Sequence, residues 1–332
     1  MRRMRERVPG SRRPLINLPR SLAGLCLAVS LLAVGCGGEG SGGRHAFLSL
    51  GTAGTGGIYY PLGGAITSLL SVGDSLRQYT AEVTGGSVEN VNRLREGQID
   101  LGFCLAISIY EAFHGGQDYG SPFESLRVVA PLYPNMLHIL VPRGSTATSL
   151  AELEGAKISV GSAGSGTEEV ARQILGVYGM TYDDVDARFL TFSESSASLR
   201  DGAIDAAIIS VGYPAAAVLE ATTTGGARLI SVEPDRIAAL RERYPYYSPG
   251  RIPVGAYPGI ETDVTTVAMM NWIVGTKDLD REVVEGLLGV LRDKKSDLEQ
   301  VHEMAGQIEL SALADTPIPL HPATEAWLEG GS

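Results

Sequence analysis

An α/β architecture, two α/β lobes with a ligand cleft between them, is the fold class that the sequence predicts, and three observations carry the prediction. Residues 48–64, LSLGTAGTGGIYYPLGG, read as a short apolar strand, a glycine-rich loop and a helix beginning near Tyr59. Residues 158–170, ISVGSAGSGTEEV, repeat that scheme in the second half of the chain. Residues 92–100, NRLREGQID, are echoed by residues 197–205, ASLRDGAID, each the end of a helix, a Gly, a turn and a strand. A helix-Gly-Ile-Asp corner is by itself common in α/β chains, so the weight lies in both echoes occurring in the same order. A Gly/Ser/Thr loop before a helix leaves the first N–H groups free, with the positive pole of the helix behind them. One such loop per half is a pair of anion sites facing a common ligand.

Taken in order, residues 46–50 form a strand, and the first glycine loop leads into a helix through about Leu70. Residues 78–83 form a second strand, and Thr84-Gly85-Gly86-Ser87 caps a helix over residues 88–96 whose Val88, Val91 and Leu94 share one face. Residues 99–107 are apolar enough for a third strand. This βαβαβ run implies a parallel sheet with right-handed crossovers and a ligand site beyond the carboxyl ends of the strands. Residues 128–141 are extended and interrupted by Pro131 and Pro134, as a connection between lobes would be. After the second glycine loop come strands at 206–211 and 228–232, a helix at 236–244, and a Tyr-, Pro- and Gly-rich stretch at 245–258 with no regular period. Residues 265–274 read as an apolar strand long enough to cross back into the first lobe, 282–301 as one amphipathic helix, and the tail from Pro317 as irregular packing. The division expected is lobe I from 46–134 plus 263–332 and lobe II from 135–262.

Before the fold lies an export signal. Residues 1–20 carry seven arginines and one Glu, residues 15–35 supply an apolar run, and small residues lead up to Cys36. Residues 32–36, LAVGC, resemble a lipobox with Ala33 where Leu is usual, which makes Cys36 the lipidation site and membrane tether, and residues 37–45 a flexible linker. Ser11-Arg12-Arg13 is a partial twin-arginine pattern, followed by Pro14 and lacking the downstream Lys, so Sec and twin-arginine export both stay open. A transmembrane anchor is the alternative, against which stand the shortness of the run and its glycines. Removing residues 1–35 takes away seven Arg and one Glu and moves the net charge from −11 to −17. So acidic a body argues against nucleic acid and against a polybasic membrane contact. Cys104 is then the only folded cysteine, so no internal disulfide is available and the core must suffice.

Residues 51–57, GTAGTGG, with 59–64, YYPLGG, then 84–90, TGGSVEN, then 161–167, GSAGSGT, resemble the TAXI family of TRAP-transporter-associated extracytoplasmic solute receptors. Further matches are LYP at 132–134, IPVGAYPG at 252–259 and DVTTV at 263–267, so the resemblance spans about residues 47–274. It implies a type II periplasmic-binding-protein fold that closes on a small carboxylate, typically glutamate, glutamine or 2-oxoglutarate, and delivers it to TRAP-type permease subunits. One departure stands out. After the third strand the family has polar residues of a Gln-Ser-Asp type, whereas this chain has CLAIS at 104–108. A ligand with a carboxylate and a less polar body than glutamate is the corresponding expectation.

The ligand-binding candidates follow from position. Ser162, Ser165, Gly166 and Thr167 can offer hydroxyls and helix-start N–H groups to a carboxylate; simple capping is the competing role for Ser165 or Thr167. Thr52, Thr55, Gly56 and Tyr59 play the corresponding part in lobe I, with Tyr59 or Tyr60 alternatively in the core. Ser87, beside Asn90, is a further candidate with capping as its alternative. Gly212 and Tyr213 follow a strand at its carboxyl end, and Tyr257 comes from the proline-rich return segment. His138 reads as a strand residue, Cys104 as core, and Asp183-Asp184 as a helix-start turn.

Enzyme and cofactor signatures are missing. Neither glycine loop fits G-x-x-x-x-G-K-[ST] or G-x-G-x-x-G, no Ser sits in G-x-S-x-G, and the five His form no H-E-x-x-H. No metal and no cofactor is expected. Two rival functions remain open: a cleft enzyme, for which the sequence offers only hydroxyls, and a ligand-sensing lobe for a membrane signalling protein.

Overall fold

The computed structural model describes residues 46–330. The signal, the linker and Cys36 lie outside the described residues.

The first part of the described chain follows the expected βαβαβ run: β1 (Ala46–Gly51), α1 (Tyr59–Gly73), β2 (Arg77–Glu82), α2 (Ser87–Arg95) and β3 (Leu101–Leu105). β1 pairs in parallel with both β2 and β3. The third strand is shorter than residues 99–107. It stops at Leu105 and turns at once into α3 (Ala106–His114), because a continuous apolar run carries no periodicity that separates a buried strand from a buried helix.

β4 (Leu126–Pro142) is one strand through both prolines. Beyond it come β5 (Lys157–Ser159), α4 (Gly166–Val177), β6 (Asp186–Arg188), α5 (Phe192–Arg200), β7 (Ala206–Val211), α6 (Ala216–Thr223), β8 (Ala227–Ile230) and α7 (Pro234–Arg243). Asp183 and Asp184 do not start a helix: Asp184 closes a turn before β6 by accepting from the Thr181 N–H and hydroxyl at 2.8 and 3.0 Å. The Tyr/Pro/Gly stretch contains β9 (Ser248–Ile252), held against β10 (Val264–Thr276) by an antiparallel ladder. Its strand has no alternating pattern because the ladder partner, not side-chain burial, holds it. The expected single helix at 282–301 is two, α8 (Arg281–Asp293) and α9 (Lys295–Val301), broken where Lys294 leaves helical geometry. The tail is not irregular: it ends in α10 (Pro322–Glu329), started by the His321 cap and Pro322.

The sheet runs β2-β1-β3-β10-β4-β7-β5-β6, with β8 on β4 and β9 on β10. β10 and β4 pair with each other and stand between β2-β1-β3 on one side and β7-β5-β6 on the other. β10 pairs with β3 through Asn271–Val274 and with β9 through Val264–Ala268, while β4 pairs with β7 through Met136–Leu140. One lobe is thus built around β1–β3 and the other around β5–β8, and two long antiparallel strands pass between them. Their register slips between Met270 and Trp272, opposite Pro134 and Pro131. Proline has no N–H for a ladder bond, so a bulge forms there.

Candidate functional site

The loops that open four helices converge on one cavity of about 280 Å³ between the lobes. Lobe I contributes Ala53 to Tyr59 at the start of α1, and Gly85, Gly86 and Ser87 at the start of α2. Lobe II contributes Ser162, Ser165, Gly166 and Thr167 at the start of α4, and Thr191, Phe192 and Ser193 at the start of α5. Tyr133 and Asn135 of β4 and Ser210 and Val211 of β7 form the floor, and Val83 and Leu105 add apolar surface. The first N–H groups of each helix have no intrahelical carbonyl to bond, and four helix dipoles present their positive ends to the same space. Among the described residues, no Asp, Glu, Lys, Arg or His lines it. The site can hold negative charge only through N–H groups, hydroxyls and dipoles.

Of the residues picked from sequence, Thr55, Gly56, Tyr59, Ser87, Ser162, Ser165, Gly166 and Thr167 line the cavity. Several of their polar atoms are already engaged. The Ser165 hydroxyl donates to the Ser162 carbonyl at 2.7 Å and accepts from the Glu168 N–H at 3.2 Å, so it also caps α4. The Ser87 hydroxyl accepts from the Leu105 N–H at 3.1 Å; it is the first residue of α2, whose cap position is Gly86. The Thr167 hydroxyl accepts a long bond, 3.4 Å, from the Ser210 N–H. Tyr59 donates its hydroxyl to Asn271 Oδ1, and burial pushes that phenol well above its ordinary pKa.

Four candidates lie outside the lining. Thr52 is fully buried and donates to the Glu82 carbonyl at 2.6 Å, while its own carbonyl accepts from Thr84 and Asn90. It knits β1, β2 and α2 together. Gly212 packs so closely on Ile58 and Met304 that a Cβ there would stand 2.8 Å from Ile58 Cδ1. Tyr213 is half-buried against the core. Tyr257 is 1 % exposed and bonds through its hydroxyl to His138 Nε2 at 3.0 Å and to the Ala215 N–H at 3.2 Å, because a ring in the proline-rich segment folds inward over β4. His138 is a buried strand residue whose Nδ1 faces the Met136 carbonyl at 2.9 Å; burial lowers its pKa to about 4.

The residues missed in sequence are Tyr133, Asn135, Ser210 and the α5 start. Thr191 and Glu194 form a capping box, a Thr-x-x-Glu pattern visible in the sequence, which would have placed the helix start there. Of CLAIS only Leu105 reaches the cavity. Ser108 instead turns away with α3 toward Glu169 of α4.

The lobes touch around the cavity. The Glu89 N–H donates to the Gly164 carbonyl at 3.0 Å, and the Ala217 N–H to the Gly56 carbonyl at 3.2 Å. A Cβ on Gly166 would stand 2.7 Å from Leu105 Cδ1 and 2.9 Å from Ser87 Oγ, so glycine is what permits this approach. Immediately behind Gly166 and Thr167, Glu169 is 4 % exposed. The hydroxyl of Ser108 bonds its Oε2, and that of Tyr119 donates to its Oε1 at 3.0 Å. Burial pushes the Glu169 carboxyl up to about 8, against the pull of these two donors.

Among solved structures, PhnD1 of Prochlorococcus marinus MIT 9301 in complex with methylphosphonate is similar with a TM-score of 0.54 at 14% identity, over 86% of this chain and 96% of that one. A protein of Bordetella bronchiseptica RB50 is similar with a TM-score of 0.51 at 16% identity, over 86% and 81%. The periplasmic aliphatic sulphonate binding protein SsuA of Escherichia coli aligns with a TM-score of 0.45 at 15% identity, over 85% and 78%. At these identities the first two likenesses speak for the fold. The sequence itself matches the NMT1-like family model over residues 50–330, nearly all of the described chain, and the chain therefore belongs to the NMT1-like family.

Proposed function

We infer that this chain is an extracytoplasmic solute receptor of a TRAP-type (TAXI) transporter, which closes two lobes on one small carboxylate and hands it to the membrane permease subunits. The observation that carries this reading is the convergence of four helix starts, two from each lobe, on a cavity without a charged side chain. N–H groups and dipoles can hold a carboxylate there, and opening the lobes separates the two halves of its shell. The TRAP assignment rests on the glycine-loop and IPVGAYPG motifs, and export with lipid tethering at Cys36 on the first 36 residues of the sequence. PhnD1, which shares the fold, is in complex with a small anion, methylphosphonate.

The ligand carries a less polar body than glutamate. Tyr59, Val83, Leu105, Tyr133, Phe192 and Val211 give the cavity its apolar lining, and an α-ammonium group would meet no carboxylate among the described residues that line it. An unpaired buried cation is costly, so amino acids are disfavoured relative to monocarboxylates of similar size. The chain is read as a binder and not a catalyst because its lining hydroxyls have no His, Asp or Glu beside them in the cavity to act as a base. The lobe division, 46–134 with 263–332 against 135–262, makes the β4 and β10 crossing the hinge.

Native mass spectrometry of the chain purified from expressing cells tests this reading. A bound monocarboxylate released on unfolding is expected. Turnover of an added carboxylate to a new product would contradict it in favour of an enzyme.

A further inference from the structure

We propose that Glu169 is a proton-dependent latch: its carboxyl group holds the lobes together as a neutral acid and loosens them when it ionises, so that closure of the cleft takes up a proton. The proposal rests on the reading of the two lobes as a closing receptor and adds a regulation to that same site.

The geometry is specific. Glu169 belongs to α4 of lobe II, yet both of its side-chain partners belong to lobe I: Ser108 on α3, and Tyr119 on the segment that follows α3. With the lobes together the group is almost out of solvent, and parting the lobes removes both hydroxyls and admits water. A carboxylate is the form that water stabilises most, so ionisation favours the parted state. The charged neighbours do not cancel this. Arg172, one turn along α4, is committed to Asp118 across the interface and to Glu168 on its own helix. Asp118 adds a second negative charge on the lobe I side. Cys104 of β3 and Tyr247 of the return segment also lie near it and carry no charge; among the described residues the buried Tyr247 hydroxyl has no partner. No uncommitted cation among the described residues faces the group. The raised pKa of about 8, caused first by burial, agrees in direction.

The latch also answers a charge problem. The cavity holds no cation, and Glu169 stands directly behind the helix start that faces a bound anion. Neutralising Glu169 on closure removes the buried negative charge that would otherwise stand directly behind a bound anion. The protonated carboxyl can donate to the Ser108 oxygen while the Tyr119 hydroxyl still donates to the other carboxyl oxygen, so both carboxyl oxygens keep a partner.

Single-molecule fluorescence transfer between dyes on exposed Val72 of lobe I and exposed Glu154 of lobe II, in the ligand-free chain from pH 5 to 9, reads the closed-to-open ratio directly. The ratio is expected to fall with rising pH, approaching tenfold per pH unit between the ordinary carboxyl range and about 8, and to level off above. Glu169→Gln keeps a neutral hydrogen-bonding side chain and is expected to give a flat profile, closed-biased at high pH. Ser108→Ala leaves Glu169 in place and is expected to lower the closed fraction at pH 5.5. A flat wild-type profile, or an unchanged slope in Glu169→Gln, overturns the latch. A chain whose ratio responds to pH as described but which binds no carboxylate leaves the latch standing and rejects the ligand reading; a chain that binds carboxylates with a pH-independent ratio does the reverse.

Discussion

The side-chain amide of Asn271 donates to Asn135 Oδ1 at 2.7 Å and joins the two strands that cross between the lobes, directly beneath the cavity. The same amide donates to the Tyr133 carbonyl at 2.7 Å, while Asn271 Oδ1 accepts the Tyr59 hydroxyl and the Asn135 amide donates to the Ser210 carbonyl at 2.9 Å. A chain of hydrogen bonds thus runs from α1 of lobe I, through β10 and β4, to β7 of lobe II. It fills the bulge that Pro131 and Pro134 force on the ladder.

Asn271→Leu removes the junction and leaves the Tyr59 hydroxyl, the Tyr133 carbonyl and the Asn135 amide oxygen buried without partners. A loss of about 2–4 kcal/mol is expected, since each stranded group costs about 1–3 kcal/mol and some will find water. Urea unfolding of the variant checks it; a midpoint within error of wild type would rule out a structural role for the junction.

Gly166→Ala places a methyl group against Leu105 and Ser87 across the interface. The parted state does not feel it. Carboxylate affinity is expected to drop at least tenfold, while the melting midpoint of the ligand-free chain moves by only a few degrees. Equal losses of affinity and stability would mean that the contact belongs to the fold and not to closure.

His138 is buried and neutral, held between the Met136 carbonyl and the Tyr257 hydroxyl. Its folded pKa of about 4 lies below the ordinary 6.5, so between these values the unfolded chain binds the proton and the folded chain does not. Stability from this group is complete above about 6.5 and is lost as pH falls toward 4. A His138→Gln variant is expected to show a shallower acid limb in a melting-point series from pH 4 to 7.

Tyr257→Phe strands the Ala215 N–H and the His138 Nε2 without touching the cavity. About 1–3 kcal/mol of stability is expected to go, with carboxylate affinity unchanged within twofold. A tenfold loss of affinity would return Tyr257 to the binding surface.

Both glycine loops, the parallel run and the crossing strands were legible because loop composition and short apolar runs are local signals. Eight of the twelve ligand candidates line the cavity for the same reason: a residue at a strand's carboxyl end before a helix is positioned by its neighbours in sequence. Thr52 and Tyr257 are not there, since their direction depends on Glu82, Asn90 and His138, far away along the chain. Asn135 and Asn271 look like isolated polar residues in apolar strands, and only pairing of β4 with β10 brings them together. Helix α3 hid inside an apolar run, and with it the facing of Ser108 toward Glu169. β9 has no period of its own because it is an edge strand fixed by its partner.

The cavity is expected to bind one small carboxylate with an apolar body, and the melting midpoint of residues 37–332 is the measurement that decides it. The panel is glutamate, glutamine, 2-oxoglutarate, succinate and branched or aromatic monocarboxylates. At about a hundred times its dissociation constant a bound compound adds roughly 2.7 kcal/mol, a clear rise in midpoint. A rise with a branched or aromatic monocarboxylate that exceeds any rise with glutamate, and that disappears in Gly166→Ala, is the result expected. A larger rise with glutamate, or none with any carboxylate, would rule out an apolar-bodied carboxylate as the ligand.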